Sequence, residues 1–180
     1  MTARLPIVGD PASVSRAGSV TASGGARLAQ AAADLTARAS SVERDWVGTT
    51  ARATHRRLAG LEQSTQALAT ELAAAGSALQ GHATALAIVL ADVRALAARA
   101  HGAGLRIEDG RVVPEPGLRG EADATGEGEL RRTQEALSAE LTSALRDFRT
   151  ARTQLRTGLG RSRERLTDIL GDTRRGPATR

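Results

Sequence analysis

Residues 58–100 read LAGLEQSTQALATELAAAGSALQGHATALAIVLADVRALAARA and decide the fold. Their apolar side chains recur at alternating spacings of three and four, the heptad pattern of a helix that buries one stripe against other helices. We call this stripe the seam. Its positions are Leu58, Leu61, Thr65, Leu68, Leu72, Ala75, Leu79, His82, Leu86, Val89, Val93, Leu96 and Ala100. The pattern predicts one long helix over residues 50–101.

A first helix precedes the seam. Asp10 is a suitable N-cap, and Pro11 suits the first helical position, where its missing N–H costs nothing. One apolar stripe then follows at helical spacing, formed by Leu28, Ala32, Leu35, Ala39, Val42 and Trp46. Gly48 interrupts it, and Thr49 or Thr50 can cap the next helix. Residues 1–101 are therefore predicted to form a long antiparallel helical hairpin, similar to a coiled coil, with its turn at Trp46 and Gly48.

The second helix extends beyond the first by roughly 25 Å. Four seam residues lie on this overhang: Leu86, Val89, Val93 and Leu96. An uncovered apolar stripe is unfavourable in water, so the C-terminal part of the chain or a partner protein must cover it. We expect these four residues to bind a helical partner in competition with the chain's own third helix.

The remaining chain divides into an insert and a C-terminal helix. Residues 102–129 hold seven glycines and two prolines and have a net charge of −4. Alternating residues around Asp109 and Gly110 predict a β-hairpin over 105–113, followed by an acidic linker. Residues 130–180 predict a helix over about 130–157, an interruption at Gly158 and Gly160, a short helix over 161–170 and a loose tail. The predicted fold class is all-α with a small β-hairpin insert.

The composition excludes several kinds of chemistry. There is no cysteine, and all 25 basic side chains are arginine, so thiolate sites and lysine Schiff bases are absent. His55, His82 and His101 lack the spacing of a helical metal pair; we expect the first to face solvent, the second to be half-buried on the seam and the third to cap its helix. We expect no enzyme activity, cofactor, metal site or small-molecule substrate.

Positive charge is concentrated at the C-terminal end. Residues 130–180 have a net charge of +6, and Arg146, Arg149, Arg152 and Arg156 form one stripe on the third helix. Such a stripe could bind nucleic acid or an anionic membrane. We favour a solvated face opposite the leucines, since no aromatic platform for nucleic acid accompanies it.

The apolar runs are short. The run from Leu5 to Val8 is interrupted by Pro6, and a cleaved signal peptide needs a longer one. The run over 85–91 is too short to span a bilayer. We expect a cytoplasmic protein whose export, where it occurs, uses no cleaved signal peptide.

The sequence around the turn resembles a known family. Trp46-Val47-Gly48 between two heptad helices resembles the Trp-x-Gly helical hairpins of type VII secretion substrates. The start, LPIVGDP over residues 5–11, also resembles N-terminal domains of larger actinobacterial type VII secreted proteins. The resemblance implies targeting or partner binding rather than catalysis. Family substrates often carry a Tyr-x-x-x-Asp/Glu secretion signal, in themselves or in their partner, and this chain has no tyrosine.

These observations together predict a non-enzymatic protein associated with type VII secretion. It would pair with a helical partner for targeting or export, either travelling with a partner that carries the signal or staying behind as an adaptor. Two alternatives remain open. One is a self-associating structural coiled coil, and the other is an arginine-rich protein that binds nucleic acid or a membrane surface.

Overall fold

A computed structural model describes Ile7 and residues 9–43, 46–116 and 124–175. Its elements are α1 (Pro11–Glu43), α2 (Thr49–Gly102), β1 (Leu105–Glu108), β2 (Arg111–Pro114) and α3 (Ala124–Arg175). The predicted fold class is confirmed: helices dominate, and a small antiparallel β-hairpin is inserted between the second and the third.

The chain divides into two compact units. The strand unit comprises Met1–Pro11 and His82–Thr153 and contains the β-hairpin. The turn unit comprises Ala12–Gly81 and Gln154–Arg180 and contains the Trp46–Gly48 turn. Each unit is described by itself below.

Within the turn unit, α1 and α2 run antiparallel at very short distance. A methyl group at Gly76 would lie 2.8 Å from the Gly18 carbonyl oxygen, and one at Gly25 would lie 2.8 Å from the Ala69 carbonyl oxygen. Gln80 fixes the register: its Nε2 donates to the Ser15 carbonyl oxygen at 2.9 Å and to Ser19 Oγ at 2.7 Å. Glycine and alanine make this approach possible because they place almost nothing between the two backbones.

The strand unit contains the larger apolar side chains of the core. β1 pairs with β2 so that Leu105 lies opposite Pro114 and Ile107 lies opposite Val112. Asp109 and Gly110 have φ values of 49° and 78°, the left-handed conformation of a type I′ turn. Leu105, Ile107 and Val112 pack on α2 and α3, as the short hairpin needs in order to be stable.

Helix α2 ends slightly later than predicted. Gly102, expected just beyond the helix, is its last residue, and the left-handed residue is Gly104, with a φ of 71°. Gly104 N donates to the His101 carbonyl oxygen at 3.0 Å, which closes the helix end. The beginning of α1 at Pro11 is as predicted.

The prediction for the third helix was wrong in its bounds. Residues 124–175 form one continuous helix, with no interruption at Gly158 or Gly160, where a methyl group would meet no atom within 4 Å. The part of the expected linker over 124–129 is the first turn and a half of this helix. Residues 117–123 of the linker and 176–180 of the predicted tail lie outside the described residues.

Candidate functional site

The turn between α1 and α2 is built by glycine. Gly48 has a φ of 119°, and its carbonyl oxygen accepts the first helical hydrogen bond of α2 from Arg52 N at 3.1 Å. Gly48 is therefore the N-cap, rather than the predicted Thr49 or Thr50. Trp46 is 40% exposed, and its ring lies 6.4 Å from the ring of His55 at an angle of 53°. Val47 is 88% exposed.

The four residues predicted to bind a partner lie in the core of the strand unit. Leu86, Val89, Val93 and Leu96 are all buried, and the chain itself covers them. Leu137 and Leu141 of α3 belong to the same cluster, with Phe148 partly buried against it. The sequence predicted that either the C-terminal part of the chain or a partner protein covers these residues. In the structure the chain's own third helix covers them. Binding of a partner at these residues stays a prediction.

An ion pair lies beside this cover. Arg99 Nη1 and Nη2 donate to the two carboxylate oxygens of Glu140 at 2.6 and 2.9 Å, joining α2 to α3 within the strand unit. The hydrogen bond from Arg99 is the main cause that lowers the pKa of Glu140; burial opposes it, and the positive charge of Arg99 adds a smaller lowering effect. On the other side of the helix, Gln134 Nε2 donates to the Val112 carbonyl oxygen at 2.9 Å. Polar contacts thus hold α3 against both α2 and the β-hairpin.

The seam is less completely buried in the turn unit. Among the described residues of that unit, the only buried apolar side chains are alanines: Ala32, Ala51, Ala69 and Ala75. The seam leucines Leu58, Leu68, Leu72 and Leu79 are partly exposed, and Leu61 is 40% exposed. Because alanine buries little area, this unit gains much less hydrophobic stabilisation per helical turn than the strand unit does.

The histidines occupy three different environments. His82 is half-buried as predicted, and its ring stacks on Phe148 at a centroid distance of 6.0 Å. His55 is partly exposed rather than fully solvent-facing as expected: its ring lies beside that of Trp46, and its Nε2 is buried without a hydrogen bond among the described residues. His101 Nδ1 lies 3.2 Å from Glu115 Oε1 in the last turn of α2.

Other predicted features are found at the surface. Arg146, Arg149, Arg152 and Arg156 are all exposed on α3.

Within the described ranges, no group of three or more His, Cys, Asp or Glu side chains could hold a metal ion. Nor does any described helix combine the length and the apolar character that crossing a bilayer needs.

Two parts of the arrangement were not found by sequence reasoning. Ile7 lies in the strand-unit core at 5% exposure, and Gly9 lies against Leu86. The only signal for Ile7 in the sequence was a short apolar run next to Pro6. The second is the contact of Gln80 with Ser15 and Ser19, for which polar residues at helical spacing gave no distinguishing signal.

No protein-family model, no curated protein and no solved structure matches this chain.

Proposed function

We propose that this chain is a non-enzymatic protein associated with type VII secretion, which pairs with a helical partner for targeting or export. The resemblance supports this proposal through the Trp46–Gly48 turn, which joins two antiparallel helices. The pairing itself is supported by one observation above all, the incomplete burial of the seam in the turn unit.

The incomplete burial favours a helical partner for a physical reason. Leucines at heptad positions that stay partly exposed on a regular helix offer a second helix a ready packing surface. Leu61 is the most exposed of these seam leucines, at 40%, while the four alanines of the same unit are buried. The end of α3 also reaches α2 in this unit, where Arg165 Nη1 donates to Glu71 Oε1 at 2.9 Å. A helix with its own apolar stripe would complete the burial that α1 and this part of α3 leave unfinished.

Coexpression with helical-hairpin proteins encoded beside the gene tests the pairing. We expect a stable complex by size-exclusion chromatography with light scattering, weakened tenfold or more by Leu61→Asp. Ile88→Asp is the matched control, because Ile88 is also exposed on α2, at 55%, and lies off the seam. Absence of a complex, or equal loss in both variants, would contradict the proposed pairing.

Assays in the native host test the link to secretion. Deletion of the gene should abolish export of the partner, and deletion of the secretion ATPase should have the same effect. Unchanged export of the partner without this chain would leave the pairing without a secretion role. A homodimer that forms without any partner would favour the structural coiled coil, and salt-sensitive retention on DNA would favour the arginine-rich alternative.

We propose a second partner-binding surface that α3 covers. It consists of Leu86, Val89, Val93 and Leu96. A partner reaches them only after α3 leaves, so weakening α3 should strengthen binding. Glu140→Arg places two like charges opposite each other at Arg99, and Glu135→Arg, also exposed on α3, is its control. Tighter partner binding by the first variant alone supports competition by α3. Equal binding by both variants contradicts it.

A further inference from the structure

The turn between α1 and α2 exposes apolar side chains. Gly48 has a left-handed backbone conformation there, with a φ of 119°. Val47 projects into solvent at 88% exposure and Trp46 at 40%. Together these two side chains give the turn a small exposed apolar surface.

Two arginines lie on the first turns of α2, close in sequence to this apolar pair. Arg52 and Arg56 line one open surface at the beginning of α2 together with Thr49 and His55. His55 links this surface to the tryptophan, because its ring lies 6.4 Å from the ring of Trp46. Arg52 and Arg56, with the neighbouring Arg57, form no ion pair within the described part of the chain.

The electrostatic balance at the turn is positive. The first turn of α2 holds no acidic residue, and the helix N-terminus adds partial positive charge. Over residues 43–57 the sequence has four arginines against two acids, a net charge of +2. Positive charge therefore exceeds negative charge over this stretch of the sequence, which favours an external anionic group.

We propose that Trp46, Val47, Arg52 and Arg56, called the tip below, dock on the surface of an anionic phospholipid bilayer. Tryptophan partitions to the boundary between headgroups and acyl chains, and a neighbouring valine adds apolar area at the same depth. The guanidinium groups meet the lipid phosphates, which they bind through paired hydrogen bonds. This inference goes beyond the proposed function, because it needs no helical partner.

The observations favour lipid over the other polyanions. The phosphates of a nucleic acid would bind the arginines but would offer Val47 no apolar environment. The tip also has a single aromatic side chain, whereas proteins that bind single-stranded nucleic acid use several to stack on the bases. A bilayer interface takes up the cations, the indole and the aliphatic side chain together. The tip would lie on the membrane without spanning it.

Intrinsic fluorescence can test the docking of the tip without an added label. Trp46 is the only tryptophan and there is no tyrosine, so the intrinsic emission of the protein reports on the tip. On titration with phosphatidylcholine vesicles that contain phosphatidylglycerol, we expect a blue shift of emission and sedimentation with the vesicles. Pure phosphatidylcholine vesicles should give much weaker binding. Removing one arginine charge should weaken partitioning about fivefold.

Matched variants separate docking at the tip from general adhesion. Val47→Asp should reduce binding to anionic vesicles tenfold or more, and Arg52→Gln with Arg56→Gln should reduce it about 25-fold. Val20→Asp is the control, since Val20 is a valine 62% exposed on α1. Circular dichroism shows whether each variant keeps its helices, and at 88% exposure Val47 has no packing to lose.

Several results would overturn the proposal. These are an unchanged emission with anionic vesicles, equal binding to neutral vesicles, or equal loss in Val47→Asp and Val20→Asp. An emission shift produced by heparin or DNA and not by vesicles would assign the tip to another polyanion. A shift that appears only on adding a helical partner would assign it to a protein interface.

Discussion

Arg99 of α2 and Glu140 of α3 form a two-pronged ion pair, in which Nη1 donates to Oε2 at 2.6 Å and Nη2 donates to Oε1 at 2.9 Å. The pair lies at the surface of the strand unit, beside the core that α3 covers. Its geometry is two-pronged, so it orients α3 as well as attracting it.

This ion pair makes the strand unit sensitive to acid. Hydrogen bonding to Arg99 holds the pKa of Glu140 below its ordinary value of 4.5. A carboxylate with a lowered folded-state pKa stabilises the fold above its unfolded pKa, and this contribution is lost as the pH falls through the folded value. We therefore expect the melting temperature to decrease as the pH is lowered below 4.5. In Glu140→Gln this decrease should be smaller. Glu135→Gln is the control, and identical pH profiles for both variants would contradict the prediction.

Leu141 of α3 is one of the most deeply buried side chains of the strand-unit core. Leu141 is 1% exposed, so Leu141→Ala removes a fully buried side chain. We expect a loss of about 2–5 kcal/mol in the free energy of unfolding. Leu130→Ala on the same helix, 37% exposed, should cost much less. Urea denaturation followed by circular dichroism measures both, and equal losses would show that α3 is not packed as described.

Two glycines of α2 should respond oppositely to the same change. A methyl group at Gly76 would lie 2.8 Å from Ala22 N and from the Gly18 carbonyl oxygen, so Gly76→Ala must push α1 and α2 apart. We expect a loss of about 1–3 kcal/mol. Gly81→Ala meets no atom within 4 Å and should gain up to about 1 kcal/mol through helix propensity. Thermal melts compare the two variants, and a stabilising Gly76→Ala would refute the close approach.

The turn of the β-hairpin requires glycine at its second position. Gly110 has a φ of 78°, so Gly110→Ala should destabilise the strand unit by about 1–2 kcal/mol. Gly102→Ala, at the end of α2 with no atom within 4 Å, should be neutral or slightly stabilising. Hydrogen exchange of the amides of β1 and β2 reads out the hairpin directly. Unaltered protection in Gly110→Ala would mean that the turn is not type I′.

The spacing of apolar residues and the positions of proline and glycine predicted most of the helices and strands. Pro11 and the Asp109–Gly110 pair restrict the backbone locally, so neighbouring residues alone suffice to place them. The seam was found for a related reason, since a strict heptad pattern has few structural meanings. Twelve of its thirteen positions are buried or partly buried, Leu61 being the exception.

The remaining features depend on the tertiary structure. Gly158 and Gly160 were expected to end a helix, but the cost of glycine is small enough for the flanking residues of a long helix to outweigh it. The contrast between a buried Val93 and a partly exposed Leu68 on one seam also has no local signal. It depends on which other segments reach each part of α2, and Ile7 is one of them.

The alanine-lined interior of the turn unit has a calorimetric consequence. The heat-capacity change of unfolding grows with the apolar area that becomes exposed, and Ala32, Ala51, Ala69 and Ala75 contribute little of it. The stability of that unit should therefore vary gently with temperature. Leu105, Val93 and Leu141 give the strand unit a more strongly curved dependence. Cooling would weaken the leucine-rich interior while leaving the alanine-rich one almost unchanged.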